Sequence, residues 1–320
     1  MIVRWGLAQL PGVVGELGIR EPLLVASERW VGTNLGVRTA ARWTEVPSDQ
    51  VTTAAEYAGD GVIAVGGGSA IDLGKAVSAE AAVPLVSVPT TYSGSEWTTF
   101  FGIRDPERRM RGGGAGARLG GVVYEPELTL SLAMADTVGT ALNALAHCAE
   151  ALYVEGHNSE ADEHALTGAR LIGEWLPRVV DAPQDLEART KLLEGAMYAG
   201  MALGGSMLAL GHAIAQALGG RYGLPHGAMN ALALPAALRF NTEVTPEAVR
   251  RFGDTLGTED PAARVEELAR LGGFERLRDF GVPEEELREI AAATVERAGA
   301  KANPRPASPA EVEELLRSIY

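Results

Sequence analysis

Three histidines after residue 134 lie among residues that carry almost no charge. His147 follows Asn143 by four residues in GTALNALAHCAEALY, and His212 precedes Gln216 by four in GHAIAQALGG. Residues four apart share one face of a helix, so each pair is expected to point the same way. His226 follows in GLPHGAMNALALP. One histidine on an apolar face is more often a core residue, but three such histidines indicate a site that moves protons, donates hydrogen bonds or binds a metal.

The remaining histidines and the cysteine are weaker candidates. His157 and His164 lie in polar surroundings and are predicted to be surface residues. Cys148 is the only cysteine of the chain, which excludes an intrachain disulfide and a zinc site built from several cysteines.

A glycine-rich turn in the first half could bind phosphate. In GVIAVGGGSAIDLGKA (61–76), a short apolar run leads into Gly66, Gly67, Gly68 and Ser69, and a helical pattern follows. Glycines let backbone N–H groups approach an anion closely, and the start of a helix favours negative charge. The turn lacks the complete G-x-G-x-x-G and G-K-[ST] patterns, so a tight turn without a ligand is the competing interpretation. Its position between strand and helix favours a pyrophosphate.

A hydroxyl-rich loop follows the next apolar run. PLVSVPTTYSGSEWT (84–98) carries Thr90, Thr91, Ser93 and Ser95 just after a predicted strand. Because open α/β sheets bind ligands at the carboxyl ends of their strands, this loop is expected to form a second wall of a dinucleotide site.

These segments must be positioned by two regions of different character. Up to about residue 134, short runs that are apolar on both faces alternate with helical patterns, which is typical of a parallel sheet covered by helices. The predicted strands are 22–26, 61–65, 84–88 and 121–124, and the predicted helices are about 8–18, 48–58 with Ser48 as N-cap, and 70–82. The sequence therefore predicts an α/β dinucleotide-binding domain over 1–134 and, since no strand pattern follows, an all-helical domain over 135–320, with a cleft between them.

The helical half carries explicit start signals. Helices are predicted at about 135–154, 159–180, 187–220, 227–240, 246–257, 261–271, 283–298 and 308–319. Pro246, Pro261, Pro283 and Pro309 fit first-turn positions, and Ser308 with Glu311 forms a capping box. The uncharged stretch 195–220 is long enough to span a bilayer, but its glycines, His212 and Gln216 favour a helix or helix pair buried in a globular domain.

Composition and charge exclude several classes of protein. Of the 320 residues 46% are hydrophobic and 22% charged, as in an ordinary globular protein. The 28 basic and 42 acidic side chains leave a net charge of −14, which makes nucleic acid an unfavourable partner. The N-terminus, MIVRWGLAQLPG, has no signal-peptide or transit-peptide character, so a cytoplasmic location is expected.

Several motifs together resemble a known family. The turn GGGSAIDLGK (66–75), the loop VPTTYSGSE (88–96), the segment YEPELTLSL (124–132), the helix NALAHCAEALY and the stretch HAIAQALGGRYGLPHG occur in the order found in the iron-containing alcohol dehydrogenase superfamily, and resemble most closely its maleylacetate reductase branch. The resemblance covers nearly the whole chain. It implies the dehydroquinate synthase-like architecture of that superfamily, an NAD(P)-dependent oxidoreductase and, in our expectation, a homodimer.

The resemblance also implies roles for individual residues. Gly66, Gly67, Gly68 and Ser69 would hold the cofactor pyrophosphate, and the residues nearer the nicotinamide would be Asp72, Thr90, Thr91, Ser95 and Leu132. Ser27 matches the position that contacts the adenosine ribose. A neutral serine there neither binds the 2′-hydroxyl as strongly as aspartate nor repels a 2′-phosphate, so use of both NADH and NADPH is expected.

Two positions depart from the metal-using members of the superfamily, which hold Fe or Zn with one aspartate and three histidines. His147, His212 and His226 match the histidines, but Asn143 replaces the aspartate and removes the only anionic ligand. Maleylacetate reductases also carry asparagine there and are regarded as independent of metal. Gln216 replaces a residue that is commonly histidine beside the nicotinamide, which leaves the proton donor open.

The expected function is the NAD(P)H-dependent reduction of an unsaturated oxo-diacid, as in maleylacetate reduction to 3-oxoadipate during aromatic catabolism. His147, His212 and His226 would supply hydrogen bonds and protons to the enolate that forms, and Asn143 is the fourth catalytic candidate. The alternative is an Fe- or Zn-dependent alcohol or polyol dehydrogenase in which the three histidines hold the metal. A lyase of the dehydroquinate synthase type is less favoured, because the site segments lack basic residues for a phosphorylated substrate.

Overall fold

The computed structural model describes all 320 residues and divides them into two compact units. The first contains residues 1–91 and 95–132, and the second contains residues 92–94 and 133–320.

The first unit is built on a six-stranded parallel sheet. Its strands are β1 (Ile2–Trp5), β2 (Leu23–Ala26), β3 (Ala41–Trp43), β4 (Val62–Gly66), β5 (Pro84–Pro89) and β8 (Arg118–Tyr124), in the order β1-β8-β5-β4-β2-β3. An antiparallel hairpin of β6 (Phe101–Arg104) and β7 (Met110–Gly114) stands apart from it. The helices are α1 (Leu10–Glu16), α2 (Val51–Ala55) and α3 (Gly68–Ala81). Two apolar clusters contain residues from β2, β4 and β5, so these central strands are buried on both faces.

The four predicted strands are confirmed, and the strands that the prediction missed are short or weakly apolar. β1 and β3 form the two edges of the sheet, and the hairpin reads FGIR and MRGGG. Such segments lack the continuous apolar run by which a buried strand is recognised. The prediction of Ser48 as an N-cap was wrong. Helix α2 begins at Val51 with Gln50 at the N-cap, and the Ser48 hydroxyl accepts a hydrogen bond from the Gln50 N–H outside the helix.

The second unit is all-helical, as predicted. Its helices are α4 (Met134–Ala151), α5 (Ser159–Asp181), α6 (Leu186–Gly204), α7 (Leu210–Tyr222), α8 (His226–Asn241), α9 (Pro246–Leu256), α10 (Pro261–Arg270), α11 (Leu287–Val295), α12 (Ala298–Lys301) and α13 (Pro309–Ser318). The helical stretch predicted over 187–220, for whose uncharged part the sequence left a helix or a helix pair open, is a pair: one helix ends at Gly204 and the next begins at Leu210. No helix combines the length and apolar character needed to cross a membrane.

The predicted start signals of the later helices are confirmed with one exception. Pro246, Pro261 and Pro309 open α9, α10 and α13, and both hydrogen bonds of the capping box at Ser308 form. Pro283 instead precedes a single 3-10 turn over Glu284–Glu286, and α11 begins only at Leu287. The three successive glutamates after Pro283 form this 3-10 turn, and the apolar residues that pack α11 against its neighbours begin only at Leu287.

Two glycines allow α4 and α8 to approach closely. A Cβ atom on Gly227 would lie 2.4 Å from the carbonyl carbon of Gly139, so no larger residue fits at this crossing. The crossing lies one turn before Asn143 and directly after His226. It therefore brings together the two helices that carry these polar residues.

Candidate active site

The glycine turn joins β4 directly to α3. Gly66 ends the strand with φ of 152°, and Gly67 is the N-cap of the helix without any side-chain cap. A Cβ on Gly66 would lie 2.7 Å from the Cβ of Ala70, and one on Gly67 would lie 2.9 Å from Cγ2 of Thr91. Both positions therefore require glycine, and no side chain caps the first N–H groups of α3 with a hydrogen bond.

This turn fits the pyrophosphate that the sequence predicted. A helix N-terminus without a capping side chain offers N–H donors and a favourable dipole to an anion. The hydroxyl oxygen of Thr91 is buried without a hydrogen-bond partner beside Gly67. Since a buried hydroxyl without a partner is costly, a ligand oxygen at this turn would satisfy it.

Lys75 and Asp72 connect α3 to residues 95–102, which form the end of the hydroxyl-rich loop and the start of β6. The ammonium of Lys75 is buried and donates to the carbonyls of Ser95 and Phe100, each at 2.8 Å, and to the hydroxyl of Thr98 at 3.0 Å. It also pairs with Asp72 at 2.8 Å, while the other oxygen of Asp72 accepts from the N–H of Gly102. Both charged groups therefore hold the 95–102 segment in place.

The other predicted cofactor residues are at strand ends or in turns of the first unit. Thr90 follows β5 and donates its N–H to the carbonyl of Gly66, so its loop is tied to the glycine turn. Ser27 follows β2 and is half-buried, and its carbonyl accepts from the N–H groups of Trp30 and Val31. Leu132 lies in the turn before α4, and its N–H donates to Thr129.

A buried acid in the same unit was not among the predicted site residues. Glu96 accepts a 2.7 Å hydrogen bond from the hydroxyl of Tyr124, which in turn accepts from the indole N–H of Trp97 at 2.8 Å. Burial raises the pKa of Glu96, and burial together with the neighbouring carboxylate raises the pKa of Tyr124. This network ties the end of β8 to the hydroxyl-rich loop. Because the neighbours of Glu96 in the sequence are mostly polar, the sequence gave no signal that this glutamate is buried.

The three histidines of the second unit lie together. His147 on α4 and His212 on α7 stack with ring centroids 4.7 Å apart and planes 16° apart. His226, the first residue of α8, is tilted against His212 with centroids 5.8 Å apart. His147 and His212 are buried, and His226 is half-buried. The tertiary structure therefore assembles the cluster from three helices.

Asn143 is hydrogen-bonded on both sides of its amide. Its Nδ2 donates to the carbonyl of Ser93 at 3.1 Å, and its Oδ1 accepts from Nδ2 of Asn230 at 2.8 Å. The same nitrogen of Asn230 lies 3.1 Å from Nε2 of His226, which must be the acceptor because an amide NH₂ only donates. Asn230, on the same helix face as His226, is a site residue that the sequence analysis missed; its spacing of four was the available signal.

These residues do not fit the Fe or Zn ion of the metal-using members. Asn143 is neutral, and its oxygen and Nε2 of His226 both already accept from Asn230. No group of three or more His, Cys, Asp and Glu side chains is arranged to hold a metal ion. A divalent cation would find no anionic ligand and would have to displace the Asn230 amide.

The remaining candidates lie on the edges of this cluster or away from it. Gln216 lies one turn after His212 on α7 and is half-buried. Cys148 is fully buried, and burial raises the pKa of its thiol, which makes it a packing residue. His157 has a half-exposed side chain 3.7 Å from Asp162, and His164 packs against Tyr198 on α6. Neither His157 nor His164 shares a ring contact with the cluster.

Comparison with known proteins places the chain in a family. Residues 5–117 match the model of the iron-containing alcohol dehydrogenases, and residues 137–320 match the C-terminal model of the Fe-containing alcohol dehydrogenase family. The maleylacetate reductase of Pseudomonas knackmussii is 37% identical over 262 residues, which cover 82% of this chain and 74% of that protein.

Solved structures agree with this placement. A putative alcohol dehydrogenase from Ralstonia eutropha JMP134 is 33% identical with a TM-score of 0.91, over 100% of this chain and 95% of that one. Maleylacetate reductase from Rhizobium sp. strain MTP-10005 is 28% identical with a TM-score of 0.89, over the same shares. The chain therefore belongs to the iron-containing alcohol dehydrogenase family and is an NAD(P)-dependent oxidoreductase of its maleylacetate reductase-like branch.

Proposed function

We propose that the chain reduces an unsaturated oxo-diacid of the maleylacetate type with NADH, and also accepts NADPH, without a metal ion. The observation that carries this proposal is the Asn143 amide, which stands where a carboxylate would be needed and is hydrogen-bonded on both sides. The relatives named maleylacetate reductase support the substrate class. A homodimer in the cytoplasm that serves aromatic catabolism is part of the same proposal and rests on the family likeness.

Residues of the first unit would bind the cofactor, and residues of the second unit would stabilise charge on the substrate and supply the proton. The N–H groups after Gly66 and Gly67, with the hydroxyls of Ser69 and Thr91, hold the pyrophosphate, and Ser27 faces the adenosine ribose. The bound nicotinamide supplies the hydride. The imidazoles and the Asn143 amide stabilise the negative charge that develops on the substrate carbonyl, and an imidazole returns a proton to carbon.

The test is an assay of NADH oxidation with purified protein whose metal content has been measured. The panel contains maleylacetate, an unsaturated oxo-monoacid, a neutral enone, simple aldehydes and polyols, each with and without chelator. The oxo-monoacid and the neutral enone test whether the substrate carboxylates are needed. Arg221 is on the same helix as His212, but it is already paired with Glu286 and Glu289 and so is a poor partner for a substrate carboxylate. We expect the fastest turnover with the oxo-diacid and no loss with chelator.

Two results would contradict the proposal. Activity confined to alcohols and aldehydes, lost with chelator and restored by Fe or Zn, would establish the metal-dependent alcohol dehydrogenase instead. A clear preference for the neutral enone would remove the diacid from the proposal.

A further inference from the structure

A buried carboxylate lies behind the histidine cluster. Glu150 is the third polar residue on one face of α4, after Asn143 and His147, and its side chain is fully buried. It accepts hydrogen bonds from the N–H of Ala209 at 2.6 Å and from the N–H of His212 at 3.0 Å. Nδ1 of His212 lies 2.8 Å from its Oε2. No lysine or arginine forms an ion pair with it.

The local structure is built to receive this group. Helix α7 begins at Leu210, and its N-cap, Ala209, has no side chain that could accept from the first N–H groups. Glu150 supplies those acceptors from another helix, and its negative charge suits a helix N-terminus. A Cβ on Gly211 would lie 2.9 Å from Oε1 of Glu150, so glycine at this position leaves room for the carboxylate.

The contact with Nδ1 decides which nitrogen of His212 can react. Both backbone N–H groups can only donate, so Glu150 is the acceptor in those two contacts. We take Nδ1 of His212 to carry a proton as well, which makes it the third donor to the carboxylate. Nε2 of His212 is then the remaining ring nitrogen, and it is buried without a hydrogen-bond partner. Stacking on His147 prevents the ring from turning away. A carboxylate behind an imidazole fixes its tautomer and stabilises the imidazolium.

We propose that Glu150 is a positioning residue that selects His212 as the proton donor of the reduction. This inference rests on the proposed function. After hydride adds to the substrate carbon conjugated to the carbonyl, the electron pair of the C=C bond forms an enolate. With both ring nitrogens of His212 protonated, its Nε2–H bond then breaks, the proton forms a C–H bond at the other alkene carbon, and the carbonyl is restored. The imidazole left behind is neutral, keeps Nδ1–H on Glu150 and regains the proton on Nε2 from a hydronium ion of the solvent. His212 thereby fills the role that Gln216 leaves open.

Two variants separate positioning from structural support. Glu150→Gln keeps the size of the side chain but turns an NH₂ group toward donors, so the tautomer of His212 is no longer set. His212→Asn keeps an N–H donor close to the Nδ1 position, which preserves the contact with Glu150, but removes Nε2. Asp162→Asn is the matched control, because Asp162 is a buried carboxylate of the second unit that pairs with Arg251 away from the cluster.

The measurements are kcat, KM, the solvent deuterium isotope effect on kcat, and the ¹⁵N signals of the histidine rings. We expect Glu150→Gln and His212→Asn each to lower kcat about 100-fold with KM within about threefold of wild type, as for loss of a general acid. The solvent isotope effect should rise in Glu150→Gln, because proton delivery becomes rate-limiting. The ¹⁵N spectrum of the wild type should show an Nδ1–H tautomer or imidazolium for His212 that Glu150→Gln loses. Asp162→Asn should change none of these.

The proposal is overturned if His212→Asn, or a folded Glu150→Gln, retains kcat within about twofold of wild type. Should Glu150→Gln not fold, His212→Asn decides the question alone. The ¹⁵N spectrum of the histidine rings is recorded without substrate, so it tests the positioning role independently of the proposed function. A neutral His212 ring that carries its proton on Nε2 and none on Nδ1 would overturn the positioning role even if the proposed substrate is wrong. A wild-type enzyme inactive on every conjugated oxo acid would instead refute the proposed function.

Discussion

At the scale of single residues, Gly67 is expected to decide cofactor binding. Gly67→Val places a branched side chain against Thr91 and over the first N–H groups of α3. We expect NADH affinity to fall at least ~100-fold, while the unfolding free energy falls by about 1–3 kcal/mol from overpacking. Calorimetric titration with NADH measures the first effect and urea denaturation the second.

The control for this substitution is Gly112→Val on β7, where nothing lies within 4 Å of the new Cβ. Unchanged NADH affinity in a folded Gly67→Val protein would remove the glycine turn from the cofactor site.

Ser27 is expected to set the preference between the two nicotinamide cofactors. Ser27→Asp adds a negative charge after β2, which accepts the ribose 2′-hydroxyl of NADH and repels the 2′-phosphate of NADPH. The ratio of the two dissociation constants should shift toward NADH by about tenfold, which is about 1.4 kcal/mol. Ser318→Asp adds the same charge at the end of α13 and should leave the ratio unchanged. A ratio unaffected by Ser27→Asp would place the adenosine elsewhere.

Asn143 is expected to keep the histidine cluster free of metal. Asn143→Asp restores a carboxylate one helical turn from His147 and should raise the affinity for Zn or Fe at least ~10-fold. Metal content after dialysis against buffered metal measures this change. The control is Asn158→Asp at the N-cap of α5, which adds a carboxylate outside the cluster and should leave the metal affinity unchanged. Stoichiometric metal in the wild-type protein would contradict the prediction.

At the scale of elements, Glu96 makes the packing of the loop against β8 depend on pH. Its folded-state pKa is raised above the ordinary value of 4.5, mainly by burial, so its contribution to stability is full below pH 4.5 and is lost as pH rises through the folded pKa. Glu96→Gln keeps an oxygen for the Tyr124 hydroxyl and carries no charge. The unfolding free energy of the wild type should therefore fall relative to this variant above pH 4.5, by about 1.4 kcal/mol per unit of pKa shift.

Urea denaturation of both proteins at pH 4.5 and at pH 7 measures the effect. If the difference in unfolding free energy between the two proteins is constant across this range, or changes in the opposite direction, then ionising Glu96 does not destabilise the folded protein and the prediction is wrong.

At the scale of the whole molecule, the net charge of −14 opposes the approach of an anionic cofactor. The imbalance lies mostly in residues 135–320, which carry 17 basic and 28 acidic side chains. A net charge of this size repels an anion such as NADH before it makes contact, and salt screens this repulsion. The Debye length falls from about 30 Å at 0.01 M salt to about 8 Å at 0.15 M. The association rate constant of NADH, measured by stopped-flow fluorescence, should therefore increase over this range. A decrease would show that the positive end of α3 dominates the encounter.

Patterns local to the chain were sufficient to predict the parallel sheet, the all-helical second unit and most helix starts. Continuous apolar runs such as GVIAV, first-turn prolines and the capping box at Ser308 act through residues close in the chain, so they can be recognised in the sequence. The same holds for the glycine turn, because strand, turn and helix follow one another directly. Short edge strands such as β3 are stabilised by pairing with a partner, and this pairing leaves little trace in three residues.

The hydrogen-bond partners of the buried polar side chains could not be predicted from the sequence, because they depend on how the helices pack. Glu150 and His212 are 62 residues apart, and Asn143 and Asn230 are 87 residues apart, so no local pattern relates them. Their hydrogen bonds exist because α4 packs against the start of α8 at Gly139 and Gly227, and because α7 starts at the Glu150 carboxylate. The sequence identified which side chains could do chemistry. Packing determined which donor meets which acceptor, because a buried polar group takes its partner from whichever helix is brought within 3 Å.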